Sequence, residues 1–426
     1  MSPTFRSLRI RNYRLFAAGG VISNVGTWMQ RIGQDWLVLQ LTGSGVALGI
    51  TTALQFLPML LFGLLGGVLA DRYPKRRVLA AANAALAVVG LVLGLLVVTG
   101  AVAVWHVYVL AFLLGTATAV ENPTRQSFVV EMVGSEELPN AVGLNSASFN
   151  AARVVGPALA GFLIVATGST GLVFLLNAAS YLAVLASLRA MRPSELSPAP
   201  RVERAPGQLR EGLAYVAARP DLVLVLVVVF FVGTFGLNFS ITTALMATQV
   251  FHKGAGEYGV LGSVMAIGSL TGALLAARRG RPRLRLVVGA AVVFGLLELA
   301  AGLMPTYETF AIMLIPVGLS ALTFITAANA TLQLRADPAV RGRVMALYMV
   351  VFFGGTPLGA PILGAVAEHA GARWSLVVGG VVSAVAAVVA AAVVMRRQHL
   401  VVRAHLRPRP ELLVLPEAVA AAGQRV

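Results

Sequence analysis

The segment Gly67-Val-Leu-Ala-Asp71-Arg72-Tyr73-Pro74-Lys75-Arg76-Arg77-Val-Leu79 places five charged residues within seven positions, between two long apolar runs. Each flanking run is long enough to cross a hydrocarbon core about 30 Å thick. A charged cluster is costly inside a bilayer, so we interpret this segment as a short loop at the membrane surface. The chain is therefore predicted to be an integral membrane protein.

Composition supports this interpretation along the whole chain. Of its 426 residues, 58% are apolar and only 12% are charged, whereas a soluble domain carries about 25% charged residues. The first apolar run has no small-residue cleavage site, so it is not a removable signal peptide. The sequence predicts an all-α membrane protein with twelve transmembrane helices, near 13–41, 46–70, 77–99, 103–124, 139–167, 171–191, 221–250, 257–277, 285–303, 309–333, 343–368 and 373–395.

The net charge of +16 raises the possibility of a nucleic-acid partner. The position of the charges excludes it, because 29 of the 33 Lys and Arg residues fall on the side of the N-terminus. The other four are Arg31 and Arg153 within helices, and Lys253 and Arg373 on the opposite side. Membrane proteins concentrate positive charge in their cytoplasmic loops, so both termini are predicted to be cytoplasmic and the basic residues to meet membrane lipids.

The residues that several kinds of chemistry require are missing from the sequence. The chain has no cysteine, its five histidines show no ligand spacing, and no phosphate-binding loop of the Gly-x4-Gly-Lys-Ser/Thr type occurs. No paired carboxylates or nucleophile motif indicate an enzyme. We therefore expect no metal, no cofactor and no direct use of ATP.

A polar stretch divides the apolar runs six and six. The predicted organisation is an N-terminal six-helix bundle with a short arm (1–191), a cytoplasmic linker (192–220), a C-terminal six-helix bundle (221–395) and a mobile cytoplasmic tail (396–426). Gly156, Gly161 and Gly168 recur 203 residues later as Gly359, Gly364 and Gly371, as expected of repeated halves. The fifth predicted helix should contact the eighth, and the second should contact the eleventh.

The charged loop resembles the loop between helices 2 and 3 of the major facilitator superfamily. Gly67, Asp71, Arg72 and Arg76 match the pattern of that loop, and Pro74 stands where the family usually has glycine. The resemblance implies that the loop latches the two bundles in the outward-facing state. The alternative is a basic loop that only maintains topology.

The fifth predicted helix carries a pattern of small residues that resembles the antiporter signature of the superfamily's drug exporters. It comprises Gly143, Ala152, Gly156, Pro157 and Gly161, with alanine replacing glycine at two positions of the signature. Small residues at such spacing let helix backbones approach closely, and proline bends a helix. Ordinary membrane packing is the alternative interpretation.

Charged residues inside predicted helices are candidates for coupling to protons. Arg31 and Asp35 lie four positions apart, on one face of the first helix, where each would offset part of the other's insertion cost. Arg153, near the middle of the fifth helix, and Glu121, toward the cytoplasmic end of the fourth, are further candidates. Ala111 stands where proton antiporters of the superfamily usually have arginine, and Arg153 or Arg31 is the candidate to take over its role. A purely structural lattice of ion pairs is the alternative.

The expected cavity walls combine aromatic side chains with isolated amides, which suits a bulky amphipathic substrate. The candidates are Trp28, Gln34, Gln55, Asn145, Phe149, Asn238 and Asn329.

The segments Asn12–Phe16, Gly26–Arg31, Gln34–Trp36, Asn122–Gln126 and Asn145–Asn150 together resemble one branch of the superfamily. It is the branch of the enterobactin exporter and the macrolide-efflux proteins, often described as transmembrane secretion effectors. The resemblance implies a monomer in a bacterial plasma membrane that exports a drug, antibiotic or siderophore-like natural product, by proton antiport. An importer or facilitator of the same fold, or a non-transporting scaffold or sensor, remains an alternative.

Overall fold

The computed structural model describes residues 3–197, 208–278, 282–338, 340–397, 400–405 and 411–416. Long helices dominate the described chain. They are α1 (Arg11–Thr42), α2 (Gly45–Arg72), α3 (Lys75–Val98), α4 (Val104–Thr167), α5 (Gly171–Ala190), α6 (Gln208–Ala217), α7 (Pro220–Phe231), α8 (Phe239–Leu245), α9 (Ala255–Arg278), α10 (Leu284–Gly302), α11 (Tyr307–Arg335), α12 (Arg341–Ala370) and α13 (Ala372–Arg397). Short 3-10 helices cover Pro3–Arg9 and Pro193–Glu195.

Ten segments of the described chain are long and apolar enough to cross a membrane. One of them, α4, has 64 residues and is broken at Gly134 (φ 69°, ψ −179°), so it provides two crossings. The 32-residue α1, with Arg31 and Asp35, is not among the ten, yet it packs against both α4 and α5. The twelve crossings that the sequence predicts would require two crossings by α4 and one by α1 in addition to the other nine segments.

The loop predicted at 125–138, between the fourth and fifth helices, is instead helical on both sides of Gly134. Two ion pairs support these helical turns. Arg125 pairs with Glu121 one turn earlier, and Glu131 pairs with Lys75 at the start of α3. The prediction of a loop was wrong because contacts across the fold supply the partners that a surface loop would take from water.

The span Pro220–Val250 is not the uninterrupted helix that the sequence predicts. It comprises α7, a π-helical segment at Val232–Gly236, α8, and a second π-helical segment at Met246–Val250. Leu237 (φ −90°, ψ 23°) and Asn238 (φ −94°, ψ 43°) lie between the first π segment and α8 in non-helical conformations. We call residues 232–238 the helix break.

Small residues bring the two halves of the chain together near one end of the helices. This end, which we call the far side, holds Gly45 of α2. A methyl group added at Gly45 would lie 2.9 Å from the carbonyl oxygen of Gly364 in α12, and one at Gly161 would lie 2.8 Å from that of Ala255. Backbones this close leave room only for hydrogen. The predicted contacts of the second helix with the eleventh and of the fifth with the eighth are both confirmed.

Polar contacts on the far side also join the halves. The Glu368 carboxylate accepts hydrogen bonds from the Ser44 hydroxyl (2.6 Å) and the Val46 amide (3.2 Å), at the N-terminus of α2. Gln249 donates to the Gly43 carbonyl at 3.5 Å. A helix N-terminus has unpaired amides and a partial positive charge, so a carboxylate is a favourable partner there.

The opposite end of the helices, the arm side, holds the N-terminal arm and the Asp71 loop. Two glycines at this end, Gly143 of α4 and Gly342 of α12, are exposed and have no neighbouring atom within 4 Å of an added methyl group. The halves are therefore in close contact on the far side, and these two arm-side positions are open.

The two basic residues predicted to stand apart from the others lie on the far side. The Lys253 ammonium lies 5.6 Å from the ring centre of Tyr307, and the Arg373 guanidinium donates to the carbonyls of Gly302 and Met304. They are at the opposite end from Arg76, in agreement with the predicted distribution of charge.

Three peripheral segments outside the long helices have defined structure. The arm is a 3-10 helix, and Arg6 contacts Glu137 of α4 at 2.6 Å. Part of the predicted linker forms α6, whose Glu211 pairs with Arg343 of α12 at 2.6 Å. The tail was predicted to be mobile, but Leu400–His405 (β1) and Glu411–Pro416 (β2) form an antiparallel pair of strands. The boundaries of the two bundles stay a prediction, and residues 198–207 of the linker lie outside the described residues.

A pair of glycine substitutions tests the close packing at the helix break. A methyl group at Gly359 of α12 would overlap the Thr234 carbonyl oxygen, whereas one at Gly289 of α10 meets no neighbouring atom within 4 Å. We expect Gly359→Ala to destabilise the protein by about 1–3 kcal/mol, because overpacking forces a backbone shift. Gly289→Ala should leave stability unchanged or slightly higher, since alanine favours helix. Thermal unfolding of purified protein, followed by tryptophan fluorescence, measures both, and equal midpoints would contradict the packing.

Candidate functional site

A cavity of about 210 Å³ lies where the two halves meet. Residues from α1, α2, α4, α8, α9, α12 and the helix break form its walls, so both halves contribute. The lining consists of Trp28, Arg31, Ile32, Asp35, Thr52, Gln55, Phe56, Arg153, Pro157, Leu237, Asn238, Phe239, Ser240, Thr243, Tyr258, Gly262, Met265 and Thr356.

Asp35 is the acidic residue of this cavity. Its carboxylate accepts a hydrogen bond of 2.9 Å from the Tyr258 hydroxyl, which also lies 3.2 Å from the Ser240 carbonyl. Both side chains are buried, with 5% of Asp35 and 1% of Tyr258 exposed. Because Asp35 lies on α1 and Tyr258 on α9, this hydrogen bond connects the two halves of the chain.

Arg31 does not form the ion pair with Asp35 that the sequence predicts. Its guanidinium instead lies over the ring of Trp28, 4.7 Å from the ring centre, and its Nε has no hydrogen-bond partner among the described residues. The prediction was wrong because the Tyr258 hydroxyl, from the other half of the chain, reaches the carboxylate. No spacing within α1 reveals a partner that lies 223 positions away.

Trp28 contacts both arginines that line the cavity. The guanidinium of Arg153 also lies over its ring, at 5.5 Å, and Phe149 packs edge-on against it with ring centres 5.5 Å apart. An aromatic face attracts cations, and the attraction is stronger where water is excluded. Two guanidinium groups thus face the cavity with one carboxylate, and the wall favours an anionic or acceptor-rich group.

A second cavity of about 100 Å³ adjoins the first, and all of its lining residues except Phe353 of α12 belong to the first half of the chain. Arg31, Gln55 and Phe56 line both cavities. Amides dominate its polar surface: Gln34 donates to Gln55 at 3.3 Å, and Asn177 donates to Gln30. The two cavities therefore share part of their lining, and the second is an amide-rich pocket around α1.

The structure brings together most, but not all, of the predicted site residues. Asp35, Arg31, Arg153, Trp28, Gln55 and Asn238 line the first cavity, Gln34 lines the second, and Phe149 packs against Trp28. Glu121, Asn145 and Asn329 line neither cavity. Glu121 pairs with Arg125, and Asn329 accepts from Gln333 at 2.6 Å.

The small-residue pattern of the fifth predicted helix lies at two helix crossings. Gly156 faces Trp28 of α1, and Pro157 packs against Gly259 and Gly262 of α9. Gly161 faces Ala255, as described above, and Ala152 is buried. Gly143 makes no such contact on the open arm side.

The charged loop lies on the arm side, with Asp71 and Arg72 exposed. Lys75, which sequence reasoning did not single out, is the residue that joins the loop to α4, through Glu131. Both of these side chains are about nine-tenths buried, with exposures of 10% and 8%.

Tyr258 is the main functional candidate that the sequence reasoning missed. It stacks on Trp36 with ring centres 6.5 Å apart, and it holds Asp35. Its signal in the sequence is that it is the single aromatic residue of α9, in a helix otherwise rich in glycine, alanine and serine.

Membrane-crossing helices in two contacting halves, with a central cavity between them, define a membrane transporter of the major facilitator class. The fold agrees with that of a bacterial homologue of the human lysosomal transporter Spinster, solved in an inward-facing, unoccupied conformation, with a TM-score of 0.72, 16% identity and coverage of 93% of this chain and 98% of that one.

The sequence assigns the chain to one family within this class. Residues 2–417 match the family described as transmembrane secretion effector, and the chain belongs to that family. It is 23% identical to macrolide efflux protein A of Streptococcus pyogenes over 409 residues, which cover 93% of this chain and 99% of that protein. It is also 31% identical to the staphyloferrin A transporter of Staphylococcus aureus over 177 residues, 41% of this chain and 44% of that one.

The hydrogen bond from Tyr258 to Asp35 makes a testable contribution to holding the halves together. We expect Tyr258→Phe to remove about 1 kcal/mol from the contacting state, a roughly fivefold change in population, while the ring stays against Trp36. The distance between spin labels at Leu41→Cys and His369→Cys, on the far side, should then increase in part of the molecules. The chain has no native cysteine to interfere with labelling.

Tyr307→Phe is the matched control, because the Tyr307 hydroxyl donates to the Glu257 carbonyl within the second half. It should leave the label distance unchanged. A distance distribution for Tyr258→Phe identical to that of the unsubstituted protein would show that the bond does not hold the halves together.

Proposed function

We propose that this transporter exports a small amphipathic molecule from the bacterial cytoplasm, in exchange for protons, as a monomer in the plasma membrane. The observation that carries the proposal is Asp35, a buried carboxylate that lines the cavity and is bound to the opposite half of the chain. A proton on this carboxylate removes its charge, and so changes both its hydrogen bond and the charge of the cavity.

The distribution of basic residues supports an orientation with the arm side in the cytoplasm. The Asp71 loop, the start of α1 and the end of α13 carry the basic residues of that side, and positive charge accumulates in cytoplasmic loops. In this orientation the contacting far side faces outward and the separated arm side faces the cytoplasm, from which an exporter takes its substrate.

The cavity lining supports a substrate with apolar bulk and an anionic or acceptor-rich group. Trp28 and Phe56 offer aromatic surface, Gln55 and Asn238 offer amides, and Arg31 and Arg153 offer positive charge. Relatives named for a macrolide and for staphyloferrin A are consistent with an antibiotic or a siderophore-like natural product. The charge of the wall favours an acidic compound of the second kind.

An importer or a facilitator of the same fold would use the same cavity. The direction of flux distinguishes them: in inside-out vesicles an exporter accumulates substrate when a proton gradient is imposed, whereas a facilitator only equilibrates it. A scaffold or sensor would move neither substrate nor protons.

Asp35→Asn tests the coupling. We expect it to abolish accumulation of staphyloferrin A, or of a macrolide, against a gradient in inside-out vesicles, while movement down a gradient continues. One proton crossing about 150 mV releases about 3.5 kcal/mol, enough for a gradient of several hundredfold in a neutral substrate, and this gradient is what the variant should lose.

Glu121→Gln is the control, because Glu121 is paired with Arg125 and lies outside both cavities. It should retain accumulation if its fold is intact. If Asp35→Asn accumulates substrate as well as the unsubstituted protein and Glu121→Gln does not, the coupling belongs to Glu121 and the assignment of Asp35 is wrong.

The Asp71 loop is proposed to latch the halves when the cavity opens outward, through the N-terminus of α12 near Arg341–Val344. We expect Asp71→Asn to lower the rate of transport severalfold at unchanged expression, because a helix N-terminus favours a carboxylate over an amide. Counterflow of labelled substrate in proteoliposomes measures the rate. Unchanged counterflow would leave the loop with a role in topology alone.

A further inference from the structure

Glu298 of α10 is a fully buried carboxyl group, with 0% of the residue exposed. Neither of its oxygens has a hydrogen-bond partner among the described residues, and no ion pair reaches it. An ionised carboxylate without a partner is very costly in an apolar environment, whereas the neutral acid is tolerated. The proposed function makes no use of this residue.

The carboxyl group lies against the helix break. Its Oε2 would be 3.1 Å from a methyl group added at Gly236, and its Oε1 would be 2.9 Å from one added at Gly379 of α13. The Ser383 hydroxyl would lie 2.7 Å from the methyl group added at Gly236, and the Phe235 carbonyl oxygen would lie 2.6 Å from the one added at Gly379. Two glycines therefore make room for a small group of oxygen atoms around Glu298.

Several of these atoms are unsatisfied. Both Glu298 oxygens and the Ser383 hydroxyl are buried without a hydrogen-bond partner among the described residues. A hydroxyl or carbonyl oxygen can accept from the O–H of a neutral carboxylic acid, which a carboxylate cannot offer.

The other surfaces of the helix break meet the transport machinery. Leu237 and Asn238 line the central cavity, and Thr234 packs against Gly355 and Gly359 of α12. α12 is the helix that contacts α2 across the halves on the far side. A movement of the helix break would therefore change both the lining of the cavity and the contact between the halves.

We propose that Glu298 is a second proton-binding site, and that its proton holds the helix break in the conformation seen here. Release of the proton leaves a carboxylate that requires water, and the break between Gly236 and Asn238 must open toward the cavity to admit it. The proton on Glu298 and a substrate in the cavity then act on opposite sides of the helix break.

Within the described part of the chain, no charged group from the neighbouring elements pairs with Glu298. Arg373, the basic residue at the far-side end of α13, is occupied with the carbonyls of Gly302 and Met304. Asp221 of α7 and Arg335 of α11 pair with each other, near the arm side. The inference rests on the proposed function only for its part in transport, since the proton itself is detectable without substrate.

Infrared spectroscopy of the full-length protein in lipid nanodiscs, without substrate, tests the protonation. We expect a carboxylic-acid C=O band at neutral pH that Glu298→Gln removes and Glu308→Gln, at an exposed position of α11, retains. If Glu298→Gln leaves the band unchanged, Glu298 does not hold a proton and the inference is wrong.

Amide hydrogen exchange tests the link to the helix break. After correction for the intrinsic effect of pH, exchange in residues 232–240 should rise at least about tenfold from neutral to alkaline pH. Glu298→Gln should abolish this rise, because the amide cannot ionise, and Asp35→Asn should keep it. A rise that persists in Glu298→Gln, or that only Asp35→Asn removes, would overturn the inference, and the second result would leave the proposed function intact.

Discussion

Close backbone contact between small residues on the far side is the constraint on which this structure depends. Lipid tails are as apolar as leucine, so helices in a membrane associate through packing and polar contacts rather than through the hydrophobic effect. Here Gly45 meets Gly364 and Gly161 meets Ala255 on the far side, and Pro157 packs against Gly259 and Gly262 nearer the cavity. These contacts hold the halves together around the central cavity, whereas Gly143 and Gly342 on the arm side have no neighbouring atom within 4 Å of an added methyl group.

The cavity between the halves accounts for the polar side chains in the interior of the protein. Each charged side chain of the central cavity has a partner that limits its cost: the Trp28 ring for Arg31 and Arg153, and the Tyr258 hydroxyl for Asp35. Charges retained at membrane depth mark function, since apolar residues would insert more favourably. The partners are aromatic or neutral, so a change in the protonation of Asp35 is not cancelled by a tight ion pair.

The sequence was sufficient to predict the membrane class, the family, the contacts of α2 with α12 and of α4 with α9, and the position of Asp35, Arg31 and Arg153 at one cavity. Hydropathy, charge position and small-residue spacing, which are local properties, indicated the membrane class and the helix contacts, and the resemblance of particular motifs indicated the family. The partner of Asp35 was predicted wrongly because it lies 223 positions away. The segment around Arg125 was predicted to be a loop but is helical, supported by the Arg125–Glu121 pair one turn apart and by the Lys75–Glu131 pair between α3 and α4. The helix break was missed because the run Pro220–Val250 is apolar throughout, and glycines in membrane helices do not by themselves indicate a π segment.

The two halves of the chain differ in the regularity of the helices near their buried acidic residues. In the first half the acidic residue of the cavity lies on α1, which the structure shows as one uninterrupted helix of 32 residues. In the second half, Glu298 lies against a span whose hydrogen-bond ladder is interrupted. Irregular backbone inside a membrane is stable only where it is buried in protein or faces a water-filled cavity, and the helix break meets both conditions, with Gly236 against Glu298 and Asn238 in the cavity. The conformation of the second half therefore depends on what occupies the cavity and on the charge of Glu298. Asp35, in contrast, lies on the uninterrupted helix α1.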